Sequence, residues 1–228
     1  MRRFIGQPKF RGDGSRQQIG YELFVREYEA GQWRLPEDFN AITAIDIRRM
    51  LSEALLHMDN HIQLLSFNLE QRQFIDADFA NAAHLVQQRT PIELVVELTE
   101  RKDPAVNLAQ LRAGAKRFKA AGIAVCIDDV GTEGNDADLV AALDPYINEY
   151  KFAFQNLRPF NDLSDVVAVL EPWYRKAAKC GKHFAIEGIE TASGLARLTR
   201  EYPADIYQGY LLGKPGLLPK GNELHWNI

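Results

Sequence analysis

Gly122-Ile123-Ala124-Val125-Cys126-Ile127-Asp128-Asp129 is an apolar run that stops on two carboxylates. Upstream, Pro104 to Ala121 reads as a helix, with Leu108, Leu111, Ala115 and Phe118 on one face and Gly122 at its end. Downstream, Gly131-Thr132-Glu133-Gly134-Asn135-Asp136 is too polar and glycine-rich to be core. The unit is helix, strand, acid and loop, and it recurs along the chain. Glu22 follows Gln17–Tyr21, Asn68 follows Ile62–Phe67, and Glu97 follows Ile92–Val96. Lys151 follows Tyr146–Tyr150, Glu187 follows His183–Ile186, and Gln208 closes Ala204–Tyr207.

Strands alternating with helices predict an α/β fold with parallel strands. The spacing places strands at 17–25, 62–67, 92–97, 123–128, 147–152, 183–186 and 205–208. Helices are expected from Glu37-Asp38 to about 57, and over 77–88, 104–121, 136–142, 161–180 and 191–201. Residues 1–16 read as an irregular lead-in with a turn at Gly12–Ser15, residues 31–39 as a loop, and the stretch around Pro215 and Pro219 as an irregular tail. In a closed (β/α)8 TIM-like barrel, functional side chains project from the carboxyl ends of the strands into one mouth. A chain of 228 residues suits one such domain over 1–228, and no linker or low-complexity stretch divides it.

The totals narrow the function classes. A hydrophobic content of 46% is enough for a sizeable core, and a formal net charge of -4 argues against DNA as a partner. Cys126 and Cys180 match no metal or redox spacing, which fits reduced thiols in the cytoplasm. Met1-Arg2-Arg3 leads into polar residues rather than a signal sequence, and no run is apolar for the ~18 residues a membrane helix needs.

Neighbouring residues on a strand point to opposite faces, so Asp128 can stay inside while Asp129 leans over the rim. Asp128 can then bridge two cations while Asp129 holds one. An isolated Asp-Asp pair also reads as a capped turn; Glu22, Asn68 and Glu97 at three other strand ends turn the reading toward metal. Oxygen donors alone suit Mg²⁺ or Mn²⁺ better than zinc. Two such ions about 3.5–4 Å apart can drive hydrolysis of a phosphoester.

The motifs then add a resemblance. Residues 20–26, GYELFVR, are similar to the signature stretch of the EAL domain family, with Glu22 in the place of its glutamate. LSFNLEQRQF at 65–74, ELVVELTE at 93–100 and GIAVCIDDVGTEG at 122–134 resemble its asparagine, twin-glutamate and double-aspartate motifs. FAIEGIET at 184–191 and YQGYLLGKP at 207–215 resemble the last two, so the likeness covers about 17–215 in the family's order. It implies a TIM-like barrel with a modified first strand and cleavage of cyclic di-GMP to linear pGpG. By the same resemblance, Glu22, Asn68, Glu97 and Asp128 hold a first metal and Asp129 helps with a second. Lys151 orients the attacking water, while Glu187 acts as a base or second-metal ligand. Arg26 meets a substrate phosphate, Gln208 positions water or substrate, and Glu100 braces the glycine-rich loop. A homodimer is also implied.

Three stretches depart from the family pattern. Ala153 stands where an aspartate usually follows the lysine by two residues. Val130 and Glu133 replace phenylalanine and glycine, and Leu23-Phe24 replaces alanine-leucine. These departures motivate an alternative, a degenerate domain that binds cyclic di-GMP as a receptor, or that only contacts another protein.

Overall fold

All seven expected strands form, in a computed structural model that describes residues 1–132, 135–157 and 163–219. The sheet begins with β1 (Arg2–Arg11), β2 (Gln18–Glu29) and β3 (Gln32–Arg34). It continues through β4 (Leu64–Leu69), β5 (Glu93–Leu98), β6 (Ala124–Ile127), β7 (Glu149–Ala153), β8 (His183–Glu187) and β9 (Ile206–Tyr207). From β2 through β4 to β9 the barrel neighbours are parallel. β1 closes the ring, antiparallel to both β2 and β9. Setting aside β3, which extends β2 outside the ring, eight strands make a closed TIM-like barrel.

The helices are α1 (Ala44–Leu55), α2 (Gln71–Ile75), α3 (Ala77–Gln87), α4 (Leu108–Ala120), α5 (Ala137–Leu143), α6 (Val167–Cys180) and α7 (Ala192–Glu201). Local chemistry fixes their ends. Thr43 with Asp46 and Asn107 with Gln110 form reciprocal capping boxes that satisfy first-turn amides of α1 and α4. Gly181, at φ 64°, ends α6 in the left-handed conformation that glycine adopts without a Cβ penalty. Among the described residues no helix is long and apolar enough to cross a membrane.

Period-two alternation divides the strands into two faces with different tasks. Leu65, Phe67, Leu94, Val96, Val125, Ile127 and Phe152 belong to the main apolar core, together with Leu51, Phe74 and Phe118 from the helices. Phe74 and Phe118 stack with ring centroids 5.0 Å apart. The intervening strand positions are Ser66 and Asn68, Val95 and Glu97, Ala124 and Cys126, Glu149 and Lys151, and Ala185 and Glu187. That second face carries the polar residues of the mouth.

Several sequence expectations change. Residues 1–16 are not irregular: β1 runs ten residues and turns back at Gly12–Gln17. Pro8 cannot donate to a ladder, which masks a strand in the local pattern. A Cβ on Gly12 would stand 1.6 Å from the Ala204 carbonyl oxygen, so only glycine lets this seam close. The loop at 31–39 contains β3, joined to β2 across Ala30 and Gly31 at φ 47° and 81°, the positive pair of a type I′ hairpin turn. The first helix starts at Ala44 rather than Glu37, after a 3-10 turn at Phe39–Ala41. Helix α2 was not expected at all. The sixth helix begins at Val167, and part of its expected start, 161–162, lies outside the described residues.

Phe118 has no exposed surface and sits between the outer helices and the barrel wall. Phe118→Ala should lower unfolding free energy by about 3–5 kcal/mol, measured by urea denaturation.

Candidate metal centre

The strand register delivers the acidic groups to one place. Asn68 and Glu97 are direct partners across β4 and β5, and Glu187 faces Ala153 across β7 and β8. Glu22 lies inside β2, not at its end, one residue before the parallel pairing with β4 stops at Leu23 and Phe67. Beyond that point β2 leaves the barrel as a hairpin, so Glu22 is still at a rim. Asp128 follows β6 directly and Gln208 follows β9.

Lys151 is the hub. Its ammonium group is 3.2 Å from Glu22 Oε2, 3.1 Å from Asp128 Oδ1 and 3.2 Å from Glu187 Oε2, and it also donates to Glu97 Oε2. Lys151 is 1% exposed and Glu97 0%. Glu22 accepts two further bonds of 2.8 Å, from Asn68 Nδ2 to Oε1 and from Gln208 Nε2 to Oε2. A second lysine, Lys9 on β1, donates to Glu97 Oε1 at 2.6 Å.

Burial penalises each of these charges, and the pairing decides which survive. Burial pulls the Lys151 ammonium down, but Asp128, Glu187, Glu22 and Glu97 outweigh it and hold the group well above its ordinary value. Lys9 likewise rises, because Glu97 overrides its burial. Burial would raise Glu97, yet Lys151 and Lys9 draw its carboxyl far below the usual range. Glu22 and Asp128 shift the other way: burial lifts both, and the neighbouring carboxylates add to it. Asp129 is pushed up to about 6 by burial and by the charge on Glu187. The centre is therefore richer in carboxylate than two ammonium groups can balance.

That excess fits divalent cations. Glu22, Glu97 and Asp128 bring one oxygen each within 4.8 Å of the others, and so do Glu100, Asp128 and Asp129. The two groups share Asp128. Oδ1 of Asp129 is buried without a hydrogen-bond partner among the described residues. All the donors are oxygen, which suits a hard ion.

Of the residues named from sequence, Glu22, Asn68, Glu97, Asp128, Lys151, Glu187 and Gln208 are connected through Lys151 and Glu22. Glu100 gathers with the aspartates. Arg26 lines the mouth, where its Nη1 donates to the Val25 carbonyl at 2.9 Å. Asp129 adopts φ 48° in the turn after the strand. The Thr132 hydroxyl donates to the Asp129 carbonyl at 2.8 Å, and Asn135 Nδ2 donates to the Asp128 carbonyl, shaping the loop. Glu133 and Gly134 lie outside the described residues.

Lys9, Gln155 and Asn156 escaped the sequence reading. Gln155 and Asn156 occupy a 3-10 turn directly after β7. Gln155 donates to Glu187 Oε1, and Asn156 hydrogen-bonds Asp129. Their signal was position, two amides within five residues of Lys151. The signal for Lys9 was the alternation Gln7, Lys9 before a turn. Over the carboxylates opens a cavity of about 600 Å³, bordered by Arg26, Leu35, Phe39, Glu100, Gln155 and Tyr210. Its size suits a small-molecule ligand.

The sequence matches the EAL domain family over residues 7–215. No curated protein matches the chain. Among solved structures, the PaMucR phosphodiesterase in complex with c-di-GMP is 23% identical, with a TM-score of 0.75 over 96% of this chain and 97% of its own. The YkuI protein of Bacillus subtilis, which has an EAL domain and was solved with substrate c-di-GMP and calcium, is 22% identical, with a TM-score of 0.73 over 94% of this chain and 55% of its own. The EAL enzyme Bd1971, in its cAMP-bound form, is 20% identical with a TM-score of 0.75 over 95% of this chain. The chain spans 64% of the length of Bd1971.

The folded Asp129 carboxyl, near 6, lies above its ordinary 3.8. Its contribution to stability is present below about pH 4 and is lost as pH rises through 6. In metal-free buffer Asp129→Asn should therefore be more stable than the parent at pH 8, by at most about 3 kcal/mol, with the gain shrinking toward pH 4.5. Urea unfolding at the two pH values in the presence of a chelator measures it.

Proposed function

The chain belongs to the EAL domain family, and on that premise we propose that it hydrolyses cyclic di-GMP to linear pGpG with Mg²⁺ or Mn²⁺. The observation that carries the reading is the pair of carboxylate groups sharing Asp128 beneath a 600 Å³ mouth. Glu22, Asn68, Glu97 and Asp128 would hold one ion, and Asp129 would help to hold a second, with Glu100 beside it. Asn68 and Gln208 keep Glu22 aimed inward, since both donate to it. When bound, the two ions would supply Lewis acidity and neutralise charge on the phosphoryl oxygens.

The remaining tasks belong to side chains. Lys151 stays protonated among its carboxylates, so it would act as a donor that orients the attacking water, not as a base. Glu187, 3.2 Å from that ammonium, would receive the proton. Arg26 stands at the rim, half-buried, and would grip a phosphate from there. Leu35, Phe39 and Tyr210 offer apolar walls of the kind a purine stacks on.

Purified protein given cyclic di-GMP and Mn²⁺ should release pGpG, and excess chelator should stop it. Absence of linear product at every Mg²⁺ and Mn²⁺ concentration would refute the reading. Glu22→Ala should abolish turnover in the same assay, because it removes both an ion ligand and the anchor for two amides. Arg26→Ala should raise KM by roughly 10-fold to 100-fold, the worth of one charge-assisted contact, while leaving the metal requirement intact.

One observation favours a second reading, a receptor that binds cyclic di-GMP without cleaving it. Ala153 offers no carboxylate opposite Glu187, and the amide of Gln155 engages Glu187 Oε1 instead. An oxygen already engaged by an amide has one lone pair fewer to offer an attacking water. Calorimetric binding of cyclic di-GMP with silent hydrolysis would select this reading over the first.

A further inference from the structure

We infer that Lys9 is a resident counter-cation of the metal centre, a positioning residue that fixes Glu97 and lowers the affinity for divalent ions. The inference rests on the metal-dependent reading above and concerns a residue outside every expected ligand. Lys9 comes from β1, the antiparallel strand that closes the barrel, and it is 1% exposed. Its ammonium nitrogen lies 2.6 Å from Glu97 Oε1, while Lys151 takes Glu97 Oε2. Both oxygens of this carboxylate are thus occupied by cations. Glu22, by contrast, is bonded by the neutral amides of Asn68 and Gln208 as well as by Lys151.

The two lysines do not have equivalent exits. Lys151 is shared among Glu22, Glu97, Asp128 and Glu187, so an arriving ion that takes some of those oxygens leaves it others. The only ion pair Lys9 makes among the described residues is with Glu97, and Glu149, also buried, is the next acid whose field it feels. It stays behind when an ion binds. A fixed positive charge bonded to a ligand carboxylate repels the incoming cation, with little water to screen it. It also withdraws one oxygen from Glu97, so that residue offers an ion a single oxygen instead of two. Both effects weaken binding. In exchange, the same bond holds Glu97 in one rotamer and offsets carboxylate charge before any ion arrives. An uncompensated buried charge would be costly there.

The test reads Mn²⁺ affinity of the substrate-free protein by calorimetry, and by the loss of the free-ion electron paramagnetic resonance signal. Lys9→Met removes the charge at similar length. Lys9→Gln removes the charge but keeps a donor for Glu97, and serves if the methionine variant does not fold. Lys9→Arg keeps the charge. Either neutral variant should bind Mn²⁺ at least 10-fold more tightly than the parent, and Lys9→Arg should stay within a few-fold of it. Metal-free Lys9→Met should also melt at a lower temperature and recover more on adding Mn²⁺. Equal or weaker Mn²⁺ binding by folded Lys9→Met or Lys9→Gln overturns the inference. A parent that binds no Mn²⁺ sinks the metal-dependent reading by itself. The Lys9 assignment then stands if a neutral variant gains a site, and falls if none does.

Discussion

The structure depends on one electrostatic arrangement, a buried ammonium group surrounded by carboxylates from different strands. Lys151 contacts Glu22, Glu97, Asp128 and Glu187 at once. Those residues come from β2, β5, the end of β6 and β8, so the cluster exists only when the barrel is closed. Each member alone would be expensive to bury, and burying it beside partners of opposite charge removes much of that cost. The centre is a product of closure and, through its pairing, one of the constraints on it.

The strands meet this demand by dividing their faces. One set of alternate residues, such as Phe67, Val96, Val125 and Phe152, packs in the main core with the helices. The other set carries Asn68, Glu97, Cys126 and Lys151. Apolar burial proportional to area supplies the general stability, and the polar interior supplies the chemistry. The second face is not uniformly charged: Ile19, Leu64, Ala185 and Ile206 form a small apolar cluster of their own, as do Val95, Ala124 and Cys126.

Three residues around the centre take on physical meaning in the folded chain. Ala153 is buried opposite Glu187, and Gln155 meets the carboxylate from the turn beyond. Val130 is buried, and its amide donates to the Lys151 carbonyl at 3.0 Å, so the aspartate turn is tied to the strand bearing the central lysine. Lys9 adds a positive charge on the opposite side of Glu97 from Lys151. These residues set the charge and the hydrogen bonds around the same carboxylates.

Much of the centre was legible along the chain. An apolar run that ends on a carboxylate, amide or amine is a local signal, because period-two alternation and strand length are local properties. Glu22, Asn68, Glu97, Asp128, Lys151, Glu187 and Gln208 were all singled out that way, and parallel strands followed from the alternation of strands with helices. Local preference misjudged β1, since Pro8 and Lys9 are poor strand formers in isolation and are held there by pairing with Tyr21 and Gly20 of β2. The partners of Lys9, Gln155 and Asn156 were equally hidden: Lys9 and Glu97 are 88 residues apart in sequence, and only the last pairing of the ring brings them to 2.6 Å. Sequence determined which residues carry charge and which strand ends present them. Tertiary structure decided which charge neutralises which, because Coulomb energies depend on distances and burial that exist only after the barrel closes.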